Sequence, residues 1–181
     1  VDAQLGRLLA TLDEEGHADN TIIIFFSDNG FHLGEKQHWH KSTLWERATH
    51  IPFIISGPGV ANAGESSNRS VSLQDIYPTL IDLCDLPPRP NHPLDGESLL
   101  PLLTDPNAHW RESTLTTFQP GNHAVRTERW RYIRYVDGGE ELYDRQEDPN
   151  EWHNLASYSD YKNIISDLQQ CVPPNNAPEV P

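Results

Sequence analysis

Methionine is absent from the 181 residues, and cysteine occurs only as Cys84 and Cys171. A chain that starts at Val1 and holds no methionine is expected to be a piece of a longer product, with any targeting signal upstream of it. Two cysteines are too few for a disulfide scaffold, and their spacing fits no zinc site, although a single bridge is compatible with them. Long apolar runs are missing too. Nothing approaches the roughly 18 consecutive apolar residues of a membrane-spanning helix. Positive charge is scarce: 13 Lys and Arg stand against 27 Asp and Glu, a net charge of −14. That balance argues against nucleic acid as a partner, because such binders need a basic stripe to displace phosphate counterions. It leaves room for a small anionic ligand, whose local field is set by nearby side chains and bound cations. Asn68-Arg69-Ser70 has the form of a glycosylation sequon, a triplet that also recurs by chance.

What is present follows α/β logic. Leu5, Leu8, Leu9 and Leu12 repeat at i, i+3, i+4 and i+7, which predicts a helix that Gly16 is placed to end. The run TIIIFF at residues 21–26 is continuously apolar and predicts a strand covered on both faces, as in a parallel sheet flanked by helices. A second run at 51–55 stops at Ser56-Gly57-Pro58-Gly59. Helical spacing returns over 73–84, with Asp75 as N-cap, Pro78 in the first turn and Cys84 as a buried helix residue. The segment 87–93 (PPRPNHP) can continue neither helix nor central strand. A short helical piece is expected over 97–103. Short strands follow at 114–118, 124–126, 130–136 and 141–143, with Asp137-Gly138-Gly139 as a hairpin turn. Tyr161, Ile164, Ile165 and Leu168 mark one more helix, and the Pro/Asn-rich end is expected to fray. Trp110, Trp130, Tyr132 and Tyr135 are expected to pack the antiparallel strands, and residues 151–153 to close a turn. The expected organisation is an α/β layer over 1–103, a linker over 104–113 and a small antiparallel subdomain over 114–181.

Chemistry concentrates in residues 27–41, SDNGFHLGEKQHWHK. Ligands of α/β sheets sit beyond the carboxyl ends of strands, where this segment falls. Asp28 offers an anionic oxygen and Asn29 a neutral carbonyl, a pair suited to Ca²⁺ or Mg²⁺ rather than to a soft metal. Gly30 allows a sharp turn behind them. Lys41 is a cation for an anionic oxygen, and His32, His38 and His40 can donate hydrogen bonds or protons. The same residues also read as an ordinary Asp-Asn-Gly turn with a solvated loop. Composition alone leaves both readings open.

An ordered series of blocks resembles the type I, formylglycine-dependent sulfatases, nearest to the iduronate sulfatase and choline sulfatase branch. The blocks are Asp28-Asn29-Gly30, Leu33-Gly34-Glu35, Trp39, Lys41, His50-Ile51-Pro52 and Pro58-Gly59, then Asp75-Ile76-Tyr77-Pro78-Thr79-Leu80 and Leu94-Asp95-Gly96-Glu97-Ser98-Leu99. Glu141-Leu142-Tyr143-Asp144, Asp148-Pro149-Asn150-Glu151 and Asn154-Leu155-Ala156 complete the series. The resemblance implies the C-terminal part of an alkaline-phosphatase-like α/β domain, followed by a small antiparallel subdomain with a helix. It implies hydrolysis of a sulfate ester by a formylglycine hydrate, with Asp28 and Asn29 as ligands of Ca²⁺ (or Mg²⁺) and Lys41 contacting the sulfate. His32 and His40 are expected near substrate, although neither maps onto a family position. It also implies a sulfated small molecule or sugar as substrate and an extracellular, periplasmic or lysosomal setting.

The family's nucleophile motif, Cys/Ser-x-Pro/Ala-x-Arg, is expected upstream. Cys171-Val172-Pro173-Pro174-Asn175 imitates it but carries Asn175 where Arg belongs. Two ligands fall short of the six to eight oxygens that Ca²⁺ takes. The segment alone is therefore expected to be inactive and to depend on the N-terminal part of the same protein. Two competitors stand beside this reading: a phosphoester or phosphonate hydrolase of the same superfamily, and a non-catalytic binding module.

Overall fold

The computed structural model describes residues 1–87 and 93–176. The chain forms two compact units, each built from separate stretches of sequence. One comprises Val1–Phe26, Pro52–Ser67 and Leu73–His109; the other comprises Ser27–Ile51, Asn68–Ser72 and Trp110–Pro181.

In the first unit, helix α1 spans Asp2–Glu14. It ends in a Schellman arrangement, with Gly16 N donating to Asp13 O and His17 N to Leu12 O, while Gly16 takes the left-handed φ of 71° that glycine tolerates. Its leucine stripe is only partly covered: Leu5 and Leu12 are half-buried, Leu8 and Leu9 exposed. Strands β1 (Ile23–Phe26) and β4 (Phe53–Ser56) form a two-stranded sheet. They pair antiparallel, Ile23 opposite Ser56 and Phe26 opposite Phe53. The parallel arrangement predicted from the continuous apolar runs is thus corrected, because such runs report burial on both faces but carry no information on strand direction.

Helix α3 (Ile76–Leu83) admits Pro78 as its third residue, within the first turn, where the missing N–H costs nothing. Asp75 occupies the N-cap position without capping the helix. Its buried carboxylate accepts the Glu97 N–H at 3.0 Å, and the Thr79 hydroxyl accepts the Leu99 N–H at 2.8 Å. Gly96 packs so tightly that a Cβ there would stand 2.1 Å from the Gln74 carbonyl oxygen. The 94–99 block is therefore clamped onto the start of α3, and α4 (Leu100–Thr104) follows directly. Cys84 is exposed rather than buried, since α3 ends at Leu83 and leaves it off the apolar face; Cys84 and Cys171 are both free. Most of the proline-rich 87–93 segment and the last five residues lie outside the described residues.

The second unit centres on a four-stranded antiparallel sheet in the order β5 (Thr114–Thr117), β6 (His123–Arg126), β7 (Trp130–Arg134) and β8 (Glu140–Asp144). The β7–β8 turn is the predicted one: Gly138 has φ 87°, and Gly139 N donates to Asp137 Oδ1 at 2.9 Å. On one face Val125, Tyr132 and Leu142 pack with Ile165 and Leu168 of α5 (Lys162–Gln169). On the other, Ala124, Ile133 and Tyr143 pack with Leu44. Each fully buried side chain of this kind stabilises the unit by about 1.5–3 kcal/mol. Asn154 pins the return of the chain, accepting Leu142 N at 3.0 Å and donating to Glu140 O at 3.1 Å. Within this unit lie β2 (His32–Leu33), β3 (Trp39–His40) and α2 (Glu46–Thr49), which carry the chemistry.

Candidate functional site

After β1 the chain turns at residues 27–30. The Ser27 hydroxyl donates to the Asn29 carbonyl at 2.7 Å, and Gly30 N donates to Ala48 O at 2.9 Å. A Cβ on Gly30 would stand 2.0 Å from the Arg47 carbonyl oxygen, so only glycine lets the turn seat against α2. Asp28 is exposed, and its carboxylate meets no hydrogen-bond partner among the described residues; Asn29 is half-buried. A carboxylate and an amide thus follow one another in the chain at this turn. Among the described residues no group of three or more His, Cys, Asp or Glu side chains is arranged to enclose a metal. The pair is the material of part of a hard-cation shell, not a whole one.

Lys41 follows the short β2–β3 ladder, in which His32 pairs with His40 and Leu33 with Trp39. Its side chain is exposed. Both neighbours take left-handed backbone, His40 at φ 110° and Ser42 at φ 70°. Such conformations cost non-glycine residues of order 1–3 kcal/mol and persist only where the surroundings hold them. The holding groups are visible. His38 Nε2 donates to the Lys41 carbonyl at 3.3 Å, and His32 Nε2 lies 2.9 Å from Thr43 Oγ1.

The three predicted histidines have different fates. His32 is completely buried, with its ring edge-on to His38 at 5.1 Å and to Trp45 at 5.7 Å. Burial, and then the charge of His38, lower its pKa, which keeps the ring neutral. His38 is half-buried. His40 is exposed and tilts against Phe31 with centroids 5.6 Å apart. Lys36, inside the same hairpin, turns inward instead of serving as a second surface cation. Its ammonium donates to the Tyr143 hydroxyl at 3.0 Å and stands over the rings of Trp45 and Tyr143. Desolvation lowers its pKa against the pull of Glu141 and Glu151.

Beneath the hairpin lies an ionic network that local sequence reading missed. Glu46 pairs with Arg126, Arg131 and Arg145, and Arg131 Nε lies 2.7 Å from Glu151 Oε1. Glu151 Oε2 also accepts the Glu46 N–H at 2.9 Å, and Arg131 Nη1 donates to Leu44 O at 2.9 Å. Burial alone would raise the Glu46 pKa, but the His50 hydrogen bond and the charges of Arg131 and Arg126 outweigh it and drive it down. The network fixes residues 44–46, the stretch that leads from the Lys41 turn into α2. Glu151 does sit in a turn, as expected, with φ 60°. It is also a buried anion at the centre of the unit. Its only sequence signal was its place in the 148–151 block.

Asp28, Asn29, His32, His40 and Lys41 all belong to the second unit. No hydrogen bond or ion pair among the described residues joins Lys41 to Asp28 or Asn29. An exposed carboxylate, a half-buried amide and a braced, exposed cation are side chains that could serve an anionic ester bound beside a hard metal ion.

The chain is similar to known proteins in both sequence and fold. The sequence model of the sulfatase family matches residues 1–86. A sulfatase of Formosa agariphila is 38% identical over 177 residues, covering 98% of this chain and 34% of its own length. Human arylsulfatase K is 35% identical, covering 86% of this chain and 31% of its own. Among solved structures, one determined with its substrate D-glucosamine-2-N,6-O-disulfate superposes with a TM-score of 0.84 at 30% identity, over 94% of this chain and 37% of that one. The phosphonate monoester hydrolase of Agrobacterium radiobacter gives a TM-score of 0.82 at 26% identity, over 99% and 43%. The fold is that of the alkaline-phosphatase-like hydrolases, here with a small antiparallel C-terminal part. The chain belongs to the sulfatase family, and it spans about a third of the length of the sulfatases named here.

Proposed function

We propose that the complete protein hydrolyses a sulfate ester, and that this chain, as its C-terminal portion, supplies part of a calcium site and a sulfate-binding lysine. The observation that carries the reading is the occurrence, within one compact unit, of the exposed Asp28, the half-buried Asn29 and the exposed Lys41 on a braced turn. The donor set fits a hard cation: a carboxylate and an amide follow one another in the chain, while the imidazole of His32 is buried against Thr43. Ca²⁺ suits it, with Mg²⁺ as the alternative, and the remaining ligands come from elsewhere in the complete chain. When bound, the ion would neutralise sulfate oxygens and polarise the ester. The nucleophile, a formylglycine hydrate, belongs to the upstream segment.

The work of this chain's own residues is positional and electrostatic. Asp28 and Asn29 hold their oxygens at a turn that Gly30 locks against α2. Lys41 presents an ammonium to the anionic oxygens of the substrate, a charge-assisted contact that strengthens as water leaves. His40, exposed and next to Lys41 in the chain, is a further hydrogen-bond donor for substrate. A sulfated sugar is the substrate class favoured by the solved neighbour that binds a disulfated glucosamine, and the uncovered apolar residues Leu8 and Leu9 of α1 fit a chain that packs against the rest of a larger protein.

The test is to express the complete protein and measure hydrolysis of p-nitrophenyl sulfate before and after chelation, with Ca²⁺ added back. Turnover lost on chelation and restored by Ca²⁺ is expected, together with no turnover by residues 1–181 alone. A second reading, phosphonate ester hydrolysis, is favoured by the likeness to the Agrobacterium enzyme. It would show as a kcat/KM for a phenyl phosphonate ester that exceeds the value for the sulfate.

A further inference from the structure

We propose that His32 is a positioning residue for Lys41, acting through its Nε2 hydrogen bond to Thr43 and its ring contact with His38. The proposal rests on the assignment of Lys41 to the sulfate and deepens it.

Lys41 sits between two residues in left-handed backbone, and its side chain and both neighbours are exposed. The turn therefore cannot hold itself. Its two visible tethers both lead to His32. On the C-terminal side Thr43 Oγ1 meets His32 Nε2 at 2.9 Å; at Lys41 itself the carbonyl accepts from His38, whose ring stands edge-on to His32. His32 is a fixed point, completely buried and paired in register with His40. Trp45 closes the third side, with its ring 5.7 Å from His32 and its Nε1 donating to Glu141 Oε2 at 2.6 Å. The rigid sheet thus reaches Lys41 through Glu141, Trp45, His32 and Thr43 in turn.

His32 Nε2 and the Thr43 hydroxyl share one hydrogen bond, in which either group can donate. A ring so enclosed reaches substrate only by unpacking, so its effect passes through the turn.

Four variants of the complete protein test this on p-nitrophenyl sulfate. His32→Phe keeps a ring but removes the nitrogen that bonds Thr43. His32→Gln returns an amide N–H near the Nε2 position. Thr43→Val removes the hydroxyl at almost unchanged shape. Lys41→Ala supplies the background for a double variant. His32→Phe and Thr43→Val should each lower kcat/KM roughly tenfold, the scale of a displaced catalytic group, while His32→Gln recovers most of the loss. In the Lys41→Ala background, His32→Phe should cost nothing further, because its effect passes through that lysine. An equal loss in both backgrounds, or unchanged kcat/KM, overturns the proposal. Should the wild type turn over no sulfate ester, the functional reading fails by itself. Amide hydrogen exchange then decides the positioning role: faster exchange confined to residues 38–43 in His32→Phe supports it, and unchanged exchange there refutes it.

Discussion

Arg131 and Glu151 form an ion pair with Nε 2.7 Å from Oε1, each side chain only 2% exposed. They come from β7 and from the turn after β8, and the pair lies under the segment that carries Lys41. Removing Glu151 takes one of two carboxylates from the buried Arg131, which then has Glu46 alone, and breaking a buried pair costs about 3–5 kcal/mol. Glu151→Ala should lower stability by that amount in urea denaturation, with an unchanged m-value. A loss below about 1 kcal/mol, the scale of a surface pair, would mean that the network does not brace this unit.

Glu46 sets an acid limit. Its native pKa lies below the ordinary 4.5, because His50, Arg131 and Arg126 together outweigh the cost of burial. Between the native and unfolded values the unfolded chain binds a proton that the folded chain does not, so the stabilisation is complete above the unfolded value and declines as pH falls below it. Stability should therefore drop below about pH 4.5. In Glu46→Gln the proton uptake on unfolding between roughly pH 5 and 3 should shrink by about one proton. Equal uptake in the two proteins would remove Glu46 from the network's ionised form.

Gly30 should accept no side chain. A methyl group there would overlap the Arg47 carbonyl oxygen at 2.0 Å, and backbone cannot rotate aside as a side chain can. Gly30→Ala is expected to cost about 3 kcal/mol, the upper range for overpacking, and to displace Asp28 and Asn29. A variant with a wild-type melt and wild-type metal content would show that the turn adapts.

Some of this was legible in sequence, and the reason is spacing. The strands of the small sheet and the Asp137-Gly138-Gly139 hairpin were readable because alternation and turn chemistry are local. The antiparallel pairing of β1 with β4 was not, because a continuous apolar run looks the same in either direction. Arg131 shows the limit most clearly. Nothing within the strand Trp130-Arg131-Tyr132-Ile133-Arg134 names its partners, yet it is buried and paired with Glu46 and Glu151, both distant in sequence. At the candidate site the residue types of Asp28, Asn29 and Lys41 were visible. What held them was not, since Thr43, Trp45 and the inward turn of Lys36 are set by tertiary packing.

Asp28 should govern metal content. Asp28→Ala in the complete protein removes the anionic oxygen of the pair, so bound Ca²⁺ per chain and turnover should fall together. The melt in the presence of chelator should barely move, since an exposed carboxylate without a partner contributes little to folding. Full metal occupancy in that variant would return the turn to ordinary loop.

The most direct measurement is steady-state hydrolysis of p-nitrophenyl sulfate by the complete protein and its Lys41→Ala variant, run beside thermal melts. If Lys41 holds the sulfate, its loss should lower turnover by roughly two to three orders of magnitude, the scale of one preorganised donor, while the melting temperature stays within about 1 °C because an exposed lysine contributes little to folding. Near-normal kinetics in the variant would contradict the account.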